Sequence, residues 1–398
     1  VKVDMIRKGG LKQLIESHKD KVSNGNIANI RAAKQFGRLM DKGEISVDDI
    51  SFKALMEAAV EAEGMEEVPS DVEELKEAVS KSSFPKMTKY VISKIAIPEF
   101  EYREEGLQPL YTEVETNSSS RELLEGLTAA EGLAYVAPQE PYEGMDFGEK
   151  TAKIHVDKFG RRIDLPMELV MEDKNGRIRD KASQIGEKFG EQFEKFIIQT
   201  VEIDTRDLIP YESTSRAAIF NDTTISKGNF YSDDHSSVSG LDGQTNDNVA
   251  APSSAFSVDG LKAGLTLFNS MKDEEGDLIT VIPKIILTNL SNEIELWKVL
   301  NTAAKPGSNE NTKNYFGPQG KKSFDVVSSP FLSVSDGYYM GDFKKQLVVV
   351  WGKRPTVTTN HNSEDSYSRD IVSSWKISTI FGAGHRDYRY IGKVSESA

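Results

Sequence analysis

Seven residues between Arg177 and Ile203 step by three or four: Ile178, Ala182, Ile185, Phe189, Phe193, Phe196 and Thr200. That spacing predicts one long α-helix with a continuous apolar stripe. At about 1.5 Å per residue the helix is on the order of 40 Å long, more than the width of a small domain. Gly186 and Gly190 lie inside it, each costing roughly 1 kcal/mol against alanine. They predict close backbone approach or a bend. A membrane GxxxG seam is excluded by the surrounding Glu187, Lys188 and Glu191.

The segment just upstream alternates. Ala152, Ile154 and Val156 interleave with Thr151, Lys153, His155 and Asp157; Arg161, Ile163, Leu165 and Met167 interleave with Arg162 and Asp164. Between them Asp157-Lys158-Phe159-Gly160 reads as a turn, with glycine where a positive φ costs little. The expectation is a long hairpin. Two strands alone are marginal in water, and no similar third strand adjoins in sequence. A neighbouring subunit is a physically reasonable partner.

Charge is unevenly spread. Residues 1–43 carry ten Lys/Arg and four Asp/Glu, whereas residues 44–83 carry three and twelve. Both stretches read as helical, with Ser46-Val47-Asp48-Asp49 and Ser70-Asp71-Val72-Glu73 resembling capping boxes. A solvated helical subdomain and a basic face turned to a polyanion are both open readings. Phe84-Pro85 opens a short helix through Ile95, which Pro98 ends, and residues 99–148 read as loop-rich. Residues 204–256 are polar and turn-rich. Then Ser257 caps a helix to about Lys272, Thr280–Leu287 is a strand interrupted by Pro283, and Glu293–Leu300 is a second helix. Phe324–Val327, Tyr338–Asp342 and Leu347–Trp351 are strand candidates.

Composition matters mostly for what it excludes. The 398 residues contain no cysteine, which removes disulfide scaffolds, zinc ribbons, thiol catalysis and iron–sulfur clusters. No apolar run approaches a bilayer span, and Val1–Asp4 lacks a signal peptide's apolar core. A net charge of −14 argues against tight non-specific DNA binding. His18, His155, His235, His361 and His385 are scattered, without metal-ligand spacing. The stretch from Gly317 to Ser323 fails as a phosphate loop, because Tyr315 stands where the first glycine belongs and Lys322 where Ser/Thr belongs. Asp233, Asp234, Asp242 and Asp247 could offer oxygens to calcium, but they lack EF-hand spacing; a solvated loop is the preferred reading. No catalytic residue, cofactor site or metal site is expected.

The order of parts is more telling: a helical arm, a long hairpin, a lone long helix, an α/β unit, then returning strands. This order resembles the major capsid proteins of tailed bacteriophages, which have the Hong Kong 97 phage fold. The resemblance covers roughly residues 84–398. It is carried by Gly160-Arg161-Arg162-Ile163-Asp164-Leu165-Pro166-Met167-Glu168-Leu169-Val170 leading into the long helix, and by Ala218-Ile219-Phe220-Asn221, Asp234-His235 and Val258-Asp259-Gly260-Leu261. Val281-Ile282-Pro283-Lys284-Ile285-Ile286-Leu287 and the tail Arg369–Arg389 complete it.

The resemblance implies an α+β fold with an N-terminal helical arm at 1–83, and an N-arm with the start of the peripheral (P) domain at 84–144. The extended E-loop hairpin would be 145–172, and the spine helix and long loop of the P domain 173–256. An axial (A) domain at 257–352 and returning strands at 353–398 would follow. It implies a non-enzymatic shell of hexamers and pentamers, enclosing double-stranded DNA without reading its sequence. Scaffolding, portal and decoration proteins would be its partners. It would be assembled in the host cytoplasm and found in the virion, with no membrane association. An encapsulin-type nanocompartment shell is the alternative. Lys153, His155, Lys158, Phe159, Arg161 and Arg162 would lie on the intersubunit E-loop. Lys2, Arg7, Lys8, Lys12, Arg31 and Arg38 would face DNA, while the acidic total limits its adhesion to the wall. Val1 would arise by methionine removal or by maturation proteolysis. Covalent cross-linking of the Hong Kong 97 kind is not expected: by the tail match its asparagine position falls on Asp370 and its glutamate position near Ile377. A carboxylate offers an amine no good leaving group, and nothing would accept the lysine proton.

Overall fold

The computed structural model describes residues 8–19, 25–63, 65, 72–117, 121–127, 149–166, 168, 175–202, 230–231, 246–272, 278–303, 313–318, 320, 322–360 and 371–396. They belong to two compact units, each assembled from separate stretches of chain. The first comprises Val1–Arg103, Lys158–Glu191 and Lys353–Ile380; the second comprises Glu104–Asp157, Gln192–Gly352 and Phe381–Ala398.

The first unit opens with α1 (Lys8–Lys19), α2 (Gly25–Asp41), α3 (Phe52–Glu61), α4 (Val72–Lys81) and α5 (Phe84–Leu107) as far as Arg103. Ser46 caps only a 3₁₀ turn, Val47–Asp49. The helix proper starts later, where Ser51 Oγ accepts the Ala54 N–H at 3.1 Å. The other expected cap, Ser70, lies outside the described residues. The buried Asn29 amide donates to Glu63 Oε1 at 3.0 Å and to the Lys81 carbonyl at 2.9 Å, tying α2 to the end of α4.

α5 does not end before Pro98 but runs through it to Leu107. An interior proline costs about 3 kcal/mol. The helix offsets this with a buried face of Phe84, Met87, Val91, Ile92, Ala96, Phe100 and Leu107, each large side chain being worth roughly 1.5–3 kcal/mol. The long stripe forms as expected in α6 (Asn175–Glu202). Its two glycines serve close approach. A Cβ on Gly186 would collide with the Ala96 carbonyl and lie 2.9 Å from Ala96 Cα, and one on Gly190 would lie 2.9 Å from Arg103 Cδ. Beside them Phe100 and Phe189 meet edge to face at 6.2 Å.

The expected hairpin around Asp157–Gly160 does not form. Those residues are extended and open β4 (Asp157–Pro166), which lies beside β10 (Ile371–His385) in a four-stranded sheet. Its order is β1-β9-β10-β4, with β1 Thr112–Glu115 and β9 Leu347–Asn360. Gly160 is needed for proximity rather than for a turn, since a Cβ there would sit 2.8 Å from the Ile377 carbonyl. The other half of the alternating segment, β3 (Glu149–His155), pairs antiparallel with β2 (Arg121–Leu127), from Arg121 opposite His155 to Leu127 opposite Glu149. Alternation marks a strand but not its partner. The stretch read as loop-rich thus contains the end of α5, β1 and β2.

The core of the second unit is a five-stranded mixed sheet, β5-β11-β8-β6-β7. The strands are β5 Val249–Ala250, β6 Ile285–Asn289, β7 Asp325–Ser329, β8 Gly337–Gly341 and β11 Ile391–Ser395. β6 is parallel to β7 and antiparallel to β8. α7 (Val258–Ser270) and α8 (Glu293–Asn301) bury Leu261, Phe268, Leu296 and Val299 with Ile286, Tyr338, Met340 and Val394. Ser257 caps α7 as expected, its Oγ accepting the Gly260 N–H at 2.9 Å. A second cluster stacks Phe193 on Trp351 at 5.3 Å and sets it edge-on to Phe381 at 5.2 Å and Tyr111 at 6.0 Å.

Candidate functional site

No group of three or more His, Cys, Asp or Glu among the described residues could hold a metal ion. Of the four aspartates weighed for calcium, only Asp247 is described. Gly317 and Gly320 build a tight turn, with the Gly320 N–H donating to the Gly317 carbonyl at 2.7 Å. His385 is buried and structural. Its Nε2 lies 2.7 Å from the Thr200 carbonyl, its Nδ1 lies 3.2 Å from the Gln346 amide, and its ring packs on Phe230 with centroids 4.4 Å apart. Burial drives its pKa down to about 4, the Thr200 hydrogen bond opposing only part of the fall.

What the chain offers instead is contact surface. β2 and β3 form a two-stranded sheet of their own, so among the described residues neither strand has a further ladder partner. The root of this ribbon is anchored: Ile154 and Val156 are buried, and a Cβ on Gly384 would approach Ile154 Cγ1 to 2.8 Å. The six residues expected on one loop are divided between two elements. Lys153 and His155 are on β3, and their side chains lie outside the description. Lys158, Phe159, Arg161 and Arg162 are on β4. There Lys158, Arg161 and Arg162 are exposed and Phe159 is half-buried; Arg162 Nε sits 2.9 Å from Asp164 Oδ1.

The basic arm also divides. Lys2, Arg7 and the Lys8 side chain lie outside the described residues. Lys12 is engaged by Glu61 at 3.6 Å and Glu16 at 3.9 Å, so here the basic stretch is answered by the acidic one. Arg31 and Arg38 are exposed on α2. With Lys34 they share one helical face, and among the described residues none of the three forms an ion pair. Ile27 and Ile30 lie exposed on that face too.

Two features were missed in the sequence. One is the His385–Gln346 network, for which no local pattern exists. The other is an exposed apolar stripe of Leu290, Ile294 and Trp297 on α8 and the 3₁₀ turn before it. Its signal was available: residues 290–300 carry two apolar stripes, and one sheet face can cover only one of them.

Comparison with known proteins follows the same line. A sequence model described as phage capsid protein matches residues 149–394. No curated protein matches the chain. Among solved structures, a Mycobacterium phage Bobi protein is similar at 11% identity and a TM-score of 0.44, covering 73% of this chain and 89% of that one. The capsid of a native GTA particle is similar at 10% and 0.45, covering 74% and 90%. The bacteriophage PhiM1 mature capsid is similar at 13% and 0.42, covering 73% and 86%. With these low identities and TM-scores, the assignment rests on the sequence match.

Proposed function

The chain belongs to the phage capsid protein family, and we propose that its copies assemble as hexamers and pentamers into a closed shell around double-stranded DNA. It is a structural capsid protein of the virion, and the family match selects this reading over an encapsulin-type shell. In Hong Kong 97 terms, α6 is the spine helix of the P domain and the five-stranded sheet with α7 and α8 is the A domain. The β2–β3 ribbon is read as part of the extended E-loop. The subunit has no enzymatic role, assembles in the host cytoplasm, and would meet scaffolding, portal and decoration proteins there.

The observation that carries this reading is the ribbon. Two strands joined only to each other are marginal in water, and a neighbouring copy would supply the missing support, with Lys153 and His155 on the contact. On the arm, Arg31, Lys34 and Arg38 would face the packaged DNA, where each phosphate contact releases counterions. The test is to delete residues 124–152 and join Leu123 to Lys153, its register partner, through an Asn-Gly turn. The expected product is a folded subunit that forms no closed shells by negative-stain microscopy. Shells of normal appearance, or an insoluble chain showing that the ribbon serves its own subunit, would overturn the proposal.

A further inference from the structure

We infer that Arg179 is a positioning residue that clasps the N-terminal helical bundle, α1–α4, to the start of the long helix α6. It thereby fixes the direction in which the bundle presents the basic face of α2. This deepens the reading of that face as the one turned to DNA, while the clasp itself is tested separately. Both parties lie in the first unit, 131 and 129 residues apart in sequence. Arg179 Nη2 donates to the Asp48 carbonyl at 2.7 Å and to the Ile50 carbonyl at 2.8 Å. Its Nη1 lies 3.6 Å from Asp48 Oδ1, on a side chain that is 89% exposed. Exposed ion pairs contribute little, so the two main-chain bonds carry the contact.

The acceptors lie where local structure leaves carbonyls over. The 3₁₀ turn Val47–Asp49 closes with the Ile50 N–H donating to the Val47 carbonyl at 3.4 Å. Ile50 is then extended, and α3 begins behind the Ser51 cap. The Asp48 and Ile50 carbonyls thus fall in the break between turn and helix, and Ile50 is buried. A buried carbonyl needs a donor. A guanidinium offers two N–H groups from one nitrogen in a fixed plane, and its charge strengthens both bonds. On α6, Arg179 stands between Ile178 and Ala182, which are buried, so its stem rises from a packed turn. The bundle has another attachment along α5: a Cβ on Gly37 would lie 2.7 Å from Tyr90 Cδ1, and Asp41 pairs with Lys94 at 2.6 Å. A body held along one helix can still roll about that line. A fixed point on a second helix removes that freedom.

The chain contains no cysteine, so labels can be placed one by one. The test puts spin labels at Lys34→Cys in α2 and Glu187→Cys in α6, both exposed, in dilute full-length chain. Double electron–electron resonance reads their distance distribution, and hydrogen exchange reads segment 47–55. With Arg179 present the distribution should be narrow. Arg179→Met keeps the stem and loses the donors. It should broaden the distribution at unchanged circular dichroism, and segment 47–55 should exchange roughly tenfold faster, the loss of about one charge-assisted hydrogen bond. Arg179→Lys keeps the charge without the planar fork; it should broaden the distribution as well, and it serves if the methionine variant does not fold. Asp48→Ala should leave the distribution narrow. A broad distribution in the parent chain, or a narrow one in the Arg179 variants, would overturn the inference. So would an Asp48→Ala chain as broad as Arg179→Met, which moves the contact from the carbonyls to the ion pair. The salt dependence of DNA binding tests the α2 face independently, so failure of one reading is distinguishable from failure of the other.

Discussion

Acid should weaken the folded subunit through His385. Its Nε2 must donate to the Thr200 carbonyl at 2.7 Å, and its Nδ1 must accept from the Gln346 amide at 3.2 Å. The Gln346 oxygen is already taken by the Tyr390 and Ile391 N–H groups at 3.0 and 2.8 Å, so the amide can turn only its nitrogen to the imidazole. A second ring proton would therefore face a donor. With burial, this holds the folded-state pKa at about 4 against 6.5 in the unfolded chain. Between these values the unfolded chain binds a proton that the folded one refuses, so stability falls as pH drops from about 6.5 to about 4 and levels off below. The full difference is about 3 kcal/mol, an order-of-magnitude figure. Urea unfolding of dilute, unassembled chain should show this loss, measured as the difference between wild type and His385→Gln to cancel titrating carboxylates. The substituted amide retains a donor for the Thr200 carbonyl but does not titrate. Parallel pH profiles for the two chains would refute the reasoning.

Three further outcomes are expected from the same structure. Gly186→Ala should destabilise by about 1–3 kcal/mol, because overpacking against the α5 backbone outweighs the roughly 1 kcal/mol gained in helix propensity. Gly176→Ala, with open space around it, should be neutral or stabilising, and thermal melts showing equal stability for wild type and G186A would contradict the close approach. Replacing Arg31, Lys34 and Arg38 by glutamine should lower the slope of log affinity for DNA against log salt by about 0.9 per residue; an unchanged slope in a filter-binding titration would place the face away from DNA. Mature particles boiled in SDS should run as a single band near 44.2 kDa, and a ladder of oligomers would show that cross-linking occurs despite Asp370.

Local pattern was enough where an element's own periodicity, caps and breakers decide its form. The stripe from Ile178 to Thr200 predicts α6, Ser257 predicts the start of α7, and β6 and α8 lie close to their expected positions. The order of these parts carries the family resemblance. Tertiary structure decided everything that depends on residues far apart in the chain. Ile154 and Ile163 each announce a strand, but whether β3 joins β4 or β2 depends on competing partners at 121–127 and 371–385, and period-two alternation is silent on the choice. Pro98 announces a break, yet α5 passes it because the faces on either side are buried. Gly160 reads as a turn residue until the Ile377 carbonyl is seen lying against it. His385 becomes a neutral group, and Trp297 an open one, only through what surrounds them. Conformational preference is encoded residue by residue, whereas burial, pairing and proton affinity belong to neighbours brought together by the fold.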